Sequence, residues 1–257
     1  MLLWLVALNV AVFILLRLAV IVGWMAGLQS EMQVLQWVEM PSVPALLLAR
    51  PWTVLTYMVS QYEVWHILFN MLWLYWFGVI FLEINSERRL LSLYIIGGVA
   101  GAALYLAAFN LLPVFAGGYG FLIGSSASVI AIVVATAIRL PNYKMHLLLI
   151  GPVSLKWVAL VTIGIDLLSM SGGNAGGHIA HLGGALAGLA WALWTRHRAI
   201  QSHQRRKPRP APAPSREATP EETLDAILDK IKKSGYTSLT PEERARLFDV
   251  SNKVGKK

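Results

Sequence analysis

The chain has 257 residues, of which 56% are hydrophobic and only 14% are charged, and its mean hydropathy is +0.57. A soluble domain carries about 25% charged residues, so this composition excludes an ordinary soluble enzyme and indicates a membrane protein with several spans. Cysteine is absent, which excludes disulfides, thiolate metal sites and cysteine nucleophiles. The net charge is +8, which indicates anionic lipid headgroups as a partner. No nucleic-acid-binding motif is present, so we expect no nucleic acid partner.

Six apolar segments have the length of a bilayer-spanning helix, about 17–25 residues. They are Leu2–Met25, Thr56–Phe81, Leu90–Leu111, Phe121–Ile138, His146–Met170 and Gly177–Trp194. The first lacks the basic start and cleavage site of a signal peptide, and we interpret it as a retained helix.

Basic residues lie in every second connection, as in Arg88–Arg89 and Arg139–Lys144, and again in the tail after Trp194. Short basic loops stay on the cytoplasmic side of a membrane. The sequence therefore predicts an all-α polytopic membrane protein of six transmembrane helices, over residues 1–198, with both termini in the cytoplasm.

Two further regions follow the predicted membrane part. Residues 199–218 form a basic linker with prolines at alternate positions from Pro208 to Pro214, a composition that favours an extended spacer. Thr219–Glu222 and Thr240–Glu243 each have the form of a helix start, with proline at the first helical position. We expect residues 219–257 to form a small cytoplasmic helical hairpin with a regulatory or docking role.

Polar and ionisable side chains inside membrane segments are costly and are usually functional or paired. His66 and Asn70 are four residues apart on one helical face, and both can donate hydrogen bonds to a developing oxyanion. A histidine beside a serine can act as the base that activates a nucleophile. The serines and histidines available for this chemistry are Ser125, Ser126, Ser128, His178 and His181.

Other interpretations of these residues are open. Small residues in membrane helices most often allow close packing, and this holds for any one serine taken alone. His66, His178 and His181 could be imagined as zinc ligands, but there is no HExxH motif and no well-placed carboxylate base, so we expect no metal and no cofactor. Asp166 lies near the end of its segment, and the sequence therefore favours a serine–histidine dyad without an acid.

Three motifs over residues 1–198 resemble the rhomboid family of intramembrane serine proteases. His66–Leu72 is similar to the family's HxxxN helix, Gly124–Ala127 to its GxSG, and Ala180–Gly188 to its AHxxGxxxG. The resemblance implies that Ser126 is the nucleophile and His181 the base. It also implies that His66, Asn70 and the Ser126 backbone N–H form the oxyanion hole. Ala127 stands where the family usually has glycine, and we expect its methyl to take packing room between the fourth and sixth helices.

The resemblance implies an endopeptidase that cleaves transmembrane segments of other membrane proteins through a Ser126–His181 dyad, in the inner membrane of a bacterium. One alternative is a catalytically silent rhomboid-like protein that binds transmembrane helices. Another is a transporter that uses intramembrane histidines as a proton path. A transporter would show paired intramembrane charges or inverted repeats, and the sequence shows neither.

Overall fold

The computed structural model describes residues 1–27, 31–147, 151–170, 173–205 and 220–254, the side chains of 198–205, 220–223 and 250–254 excepted. It consists of two compact units, residues 1–200 and 201–257. The helices up to residue 205 are, in chain order, α1 (Leu2–Met25), α2 (Glu31–Leu35), α3 (Pro44–Ala49), α4 (Thr53–Thr56), α5 (Val64–Ile84), α6 (Glu87–Leu111), α7 (Ser126–Arg139), α8 (Leu155–Ser169) and α9 (Ala175–Arg205). Two antiparallel strand pairs accompany them: β1 (Met40–Pro41) with β2 (Phe121–Leu122), and β3 (Lys144–Leu147) with β4 (Gly151–Ser154).

Three of the described helices, α1, α5 and α6, are long and apolar enough to cross a membrane by themselves. α7 is apolar but has only 14 residues. Each of the six predicted segments overlaps one of the helices α1 and α5 to α9, although several boundaries differ from those expected.

The fourth and fifth predicted segments begin with non-helical backbone, whereas the second begins with the end of α4 and a 3₁₀ turn, Tyr57–Val59. α5 begins at Val64 rather than Thr56, because the extended backbone at Ser60 and Glu63 interrupts the helical path. α7 begins after Gly124, whose φ of +126° no helix can contain. The fifth segment opens with the β3–β4 hairpin, since a proline without an N–H follows the positive-φ Gly151. These corrections shorten the helices around the centre of the molecule.

The sixth helix is longer than expected. α9 continues to Arg205, so residues 199–205, which the sequence assigned to a linker, are helical. The rest of that predicted linker, residues 206–218, lies outside the described residues.

α7 is the central helix of the first unit. Every residue from Ala127 to Ala137 is buried. Glycines on both neighbouring helices permit the close approach: a Cβ at Gly97 of α6 would overlap the Ala131 methyl, and a Cβ at Gly184 of α9 would overlap the Ala127 carbonyl oxygen. The glycines therefore fix how near α6 and α9 can come to α7.

Ala127 packs differently from the expectation. A Cβ at Gly101 of α6 would lie 2.6 Å from the Ala127 Cβ, whereas Gly184 of α9 faces the Ala127 backbone. The methyl group therefore occupies space that a glycine on α6 leaves free, and it does not separate the fourth and sixth helices.

The second unit contains α10 (Pro220–Ser234) and α11 (Pro241–Val254). The turn between them begins at Gly235, whose φ is +79°. At the start of α11 the Thr240 N–H donates to Glu243 Oε2 at 2.7 Å and the Glu243 N–H donates to Thr240 Oγ1 at 3.3 Å, which is a capping box. Lys230 of α10 donates to the same carboxylate at 2.8 Å and ties the two helices together.

Candidate active site

Ser126 is the first residue of α7, and the local backbone exposes it. Gly124, two residues earlier, has a φ that favours glycine, and a Cβ there would lie 2.6 Å from His66 Cε1. Glycine is thus required at this position both by the backbone and by the imidazole packed against it. The chain turns sharply into α7 directly beneath the His66 ring, which places Ser126 beside α5.

Three polar side chains from three helices form a continuous hydrogen-bonded chain. His181 Nε2 lies 2.6 Å from Ser126 Oγ, and His181 Nδ1 lies 2.7 Å from Asp166 Oδ1. A carboxylate can only accept hydrogen bonds, so the His181 proton resides on Nδ1 and the Nε2 lone pair faces the serine hydroxyl. This tautomer is the one that a general base for serine requires.

Asp166 was not assigned a role from the sequence, and its position adds a carboxylate beside the serine and histidine of the expected dyad. It is 5% exposed and lies in the last turns of α8, while His181 lies in the second turn of α9. Helices joined by a short connection run antiparallel, so residues similarly distant from the connection lie at the same depth. This relation, applied to Asp166 and His181, would have predicted from the sequence that the two side chains lie close together.

His178 binds the same carboxylate oxygen, with 2.8 Å between its Nδ1 and Asp166 Oδ1. The ligand atoms of Asp166, His178 and His181 all lie within 4.8 Å of one another, a grouping that can bind a metal. The Nδ1–Oδ1 distances are those of hydrogen bonds, however, and we interpret the group as two imidazoles that donate to one carboxylate. The expectation that the site uses no metal stays a prediction.

His66 and Asn70 face the same cavity as Ser126, Asp166 and His181. The volume of this cavity is about 290 Å³, and its other walls are mainly apolar residues of α5, α7 and α8. The structure therefore brings together Ser126, His181, His66 and Asn70, the four residues that the sequence assigned to the site.

The two neighbouring serines are placed differently. Ser125 and Ser128 are 0% exposed, and a Cβ on Gly98 of α6 would lie 2.7 Å from Ser128 Oγ. Both hydroxyls are enclosed by protein, whereas Ser126 lines the cavity.

Residues 48–198, more than half of the chain, match the model of the Rhomboid domain family, and residues 215–253 match a Family of unknown function (DUF6576). The chain is 31% identical over 152 residues to "RHOMBOID-like protein 12, mitochondrial" of Arabidopsis thaliana, over 54% of this chain and 45% of that protein. It is 29% identical over 145 residues to "Presenilin-associated rhomboid-like protein A, mitochondrial" of Danio rerio, over 55% of this chain and 36% of that protein. The chain thus spans less than half the length of these relatives. The helices, the cavity and the Rhomboid domain match together identify the chain as a member of the rhomboid family, with the polytopic all-α membrane fold of that family.

Proposed function

We propose that this protein is an intramembrane serine endopeptidase that cleaves transmembrane segments of other membrane proteins. The observation that carries the proposal is the chain from Ser126 Oγ through His181 to Asp166, with distances of 2.6 and 2.7 Å. Polar groups of this kind are costly in a membrane domain, and this alignment of donor and acceptor is the one that acyl transfer uses.

The chemistry follows from the protonation of the chain. His181 Nε2 accepts the Ser126 proton as Oγ bonds to the carbonyl carbon of the substrate, and the negative Asp166 stabilises the imidazolium that forms. The imidazolium then gives its proton to the leaving amine as the peptide C–N bond breaks. A water molecule, deprotonated by His181, hydrolyses the resulting ester and releases Ser126.

The negative charge that develops on the carbonyl oxygen needs hydrogen-bond donors. Asn70 and His66 line the cavity beside Ser126. The Ser126 backbone N–H lies in the first turn of α7, where backbone donors have no partner within the helix. We assign these three groups to the oxyanion hole, where one well-placed donor contributes about 10²–10³ in kcat.

The cavity restricts which segments can react. Phe69 and Trp73 of α5 and Ile165 of α8 line it, so its walls favour apolar side chains. A helical peptide bond is covered by its own turn, and the substrate must unwind before Ser126 can reach its carbonyl. Substrates are therefore apolar membrane segments that contain helix-breaking or small residues.

We further propose that the site opens towards the outer face of a bacterial inner membrane and that both termini are cytoplasmic, although the two relatives are named as mitochondrial proteins. Arg88 and Arg139 support this sidedness. Arg88 lies at the start of α6 and Arg139 at the end of α7, whereas Ser126 lies at the start of α7. Basic residues therefore lie at the side of the membrane away from Ser126, and such residues favour the cytoplasmic side. Anionic headgroups would contact these residues, and no nucleic acid partner is proposed.

Labelling of introduced cysteines tests this sidedness. The chain has no cysteine, so a single cysteine can be placed at Lys144 or at Gly117 and a thiol reagent added to one side of the membrane at a time. Reagent that reaches Gly117 only from the cytoplasmic side would reverse the assignment.

A catalytically silent rhomboid-like protein that binds transmembrane helices is the second candidate, and Ala127 in place of glycine is the observation that favours it. The Ala127 methyl faces Gly101 of α6, so this substitution leaves the cavity around Ser126 unobstructed. A protein without catalytic activity would also not require the hydrogen-bonded chain from Ser126 to Asp166.

The deciding experiment is reconstitution of the purified protein in liposomes with a single-span substrate. We expect cleavage by the wild type and none by Ser126→Ala or His181→Ala. Thr136→Val is the matched control, because Thr136 is buried in the same helix and its side chain donates to the Ile132 carbonyl oxygen at 2.6 Å. Cleavage that survives Ser126→Ala refutes the mechanism, and absence of cleavage by every form favours the silent protein.

The second unit is proposed to have a regulatory or docking role. Deletion of residues 206–257 tests this, and unchanged turnover together with unchanged substrate binding would exclude a strong effect on catalysis.

A further inference from the structure

We propose that Asn9 and Gln61 are positioning residues for catalysis: a directional chain of hydrogen bonds, from α1 through Gln61, holds the Asn70 amide with one N–H left for the substrate oxyanion. This inference rests on the proposed protease function and adds α1 to its machinery. Asn9 lies outside residues 48–198, the part that matches the Rhomboid domain.

Three buried amides form the chain. Asn9 and Gln61 are 0% exposed and Asn70 is 7% exposed. Asn70 Nδ2 donates to Gln61 Oε1 at 2.8 Å, and Gln61 Nε2 donates to Asn9 Oδ1 at 3.1 Å. At the far end, Asn9 Nδ2 donates to the Leu5 carbonyl oxygen at 2.9 Å and to the Tyr94 hydroxyl at 3.2 Å.

The direction of every bond is fixed by the ends of the chain. The Tyr94 hydroxyl donates to the Met58 carbonyl oxygen at 2.7 Å, and a carbonyl oxygen only accepts. The single Tyr94 proton is thereby used, so this hydroxyl accepts from Asn9. The Asn9 NH₂ group must face Tyr94 and Leu5, and its oxygen must face Gln61.

The same logic continues to the active site. The Gln61 NH₂ group faces the Asn9 oxygen, so the Gln61 oxygen faces Asn70, and Asn70 must present its NH₂ group. If the Asn70 amide were reversed, two amide oxygens would stand 2.8 Å apart without a proton between them. One N–H of Asn70 is used in this bond, and the second remains for a negatively charged oxygen in the cavity that Asn70 lines.

Orientation matters here because the reversed amide would present its oxygen to the oxyanion. A donor would be replaced by a repulsive dipole in a site of low polarity, where such interactions are strong. Packing alone does not require the amides, since α1 also contacts α5 through Leu2, whose side chain fills the space over Gly78. Polar side chains as buried as Asn9 and Gln61 are costly inside a membrane domain unless they are paired.

The test is a double-mutant cycle on the full-length protein in liposomes. Gln61→Met and Asn9→Leu each remove one link while keeping the shape of the side chain, and each is made with and without Asn70→Ala. Thr136→Val again serves as the control for loss of a buried hydrogen bond. Thermal unfolding and circular dichroism of each variant report folding, and a variant that does not fold is replaced in the cycle by the other.

We expect Gln61→Met and Asn9→Leu to lower kcat roughly 10- to 100-fold, the range for a misplaced catalytic group, with KM changed by less than about 2-fold. In the Asn70→Ala background the same changes should alter kcat by less than about 2-fold, because nothing remains to be oriented. A structural role would instead lower activity equally in both backgrounds. Multiplicative losses overturn the inference and leave the protease proposal standing, whereas a wild type that does not cleave refutes both.

Discussion

Replacement of Asp166 by asparagine should separate a triad from a dyad. Both histidines, His178 and His181, donate to Asp166 Oδ1 at 2.7–2.8 Å. An asparagine has nearly the same shape, so the variant keeps the volume of the site and removes the negative charge. Any change in rate then reports the electrostatic contribution and the tautomer of His181.

The magnitude follows from the charges. An imidazolium and a carboxylate whose charges are about 4 Å apart attract each other by about 4 kcal/mol at an effective dielectric constant of 20. The Asp166 side chain is only 8% exposed, so solvent screens this attraction weakly. At about 1.4 kcal/mol per factor of ten, its loss lowers kcat about 10³-fold. A rotated amide that donates to His181 Nδ1 would force the wrong tautomer, and in the Ser–His–Asp template that change lowers kcat about 10⁴-fold.

The assay is the initial rate of cleavage of a fluorescent single-span substrate in liposomes, with thermal unfolding as the folding check. We expect kcat of Asp166→Asn to fall by about 10³-fold with little change in KM. His178→Ala is the matched control, because it removes the other donor to Asp166 and leaves the His181 bond intact; we expect a loss of less than about 10-fold. A loss below about 10-fold in Asp166→Asn, or equal losses in the two variants, would refute the role given to Asp166.

Three further predictions concern packing and the second unit. Gly97→Ala should lower the free energy of unfolding by about 1–3 kcal/mol through overlap with the Ala131 methyl, and Gly97→Ala/Ala131→Gly should recover most of it; equal melting temperatures for the single and double variants would contradict this. Gly124→Ala should fold but lose cleavage, since its methyl displaces His66 and its φ of +126° is unfavourable for alanine; wild-type turnover would contradict the site geometry. The Lys230 ammonium lowers the pKa of Glu243 below 4.5, so the Glu243 carboxylate stabilises the second unit above that pH and the stabilisation is lost as the pH falls further. Hydrogen exchange of α10 and α11 in the full-length protein, compared with Glu243→Gln at pH 6 and pH 3, checks this, and an equal difference at both pH values would be inconsistent with it.

The sequence singled out the candidate site residues because their motifs are short and local. His66 and Asn70 lie one turn apart on a single helix, and Ser126 and His181 each lie near the start of an apolar segment. The contact between Asp166 and His181 was missed because it depends on how α8 and α9 pair, which no local pattern encodes. The start of α5 was missed for a similar reason, since Gln61 leaves the helical path to join a hydrogen-bonded chain with a residue 52 positions away.

Other differences had a visible signal. Gly151 and Pro152 lie inside the fifth apolar segment, and a hydropathy average does not distinguish them from helical residues. Together, however, they disfavour a helix and favour the β3–β4 hairpin. The packing of Ala127 could not be predicted from the sequence, because the glycine that its methyl group contacts lies on α6, 26 residues earlier in the chain. Close helix packing is set by pairs of positions, and the sequence of one helix does not identify the partner.

Covalent labelling identifies the nucleophile. The full-length protein in liposomes is treated with a fluorophosphonate, digested, and mapped by mass spectrometry. We expect one adduct, on Ser126, that disappears in His181→Ala and persists in Thr136→Val. An adduct on Ser125 or Ser128, or an unlabelled wild type, would contradict it.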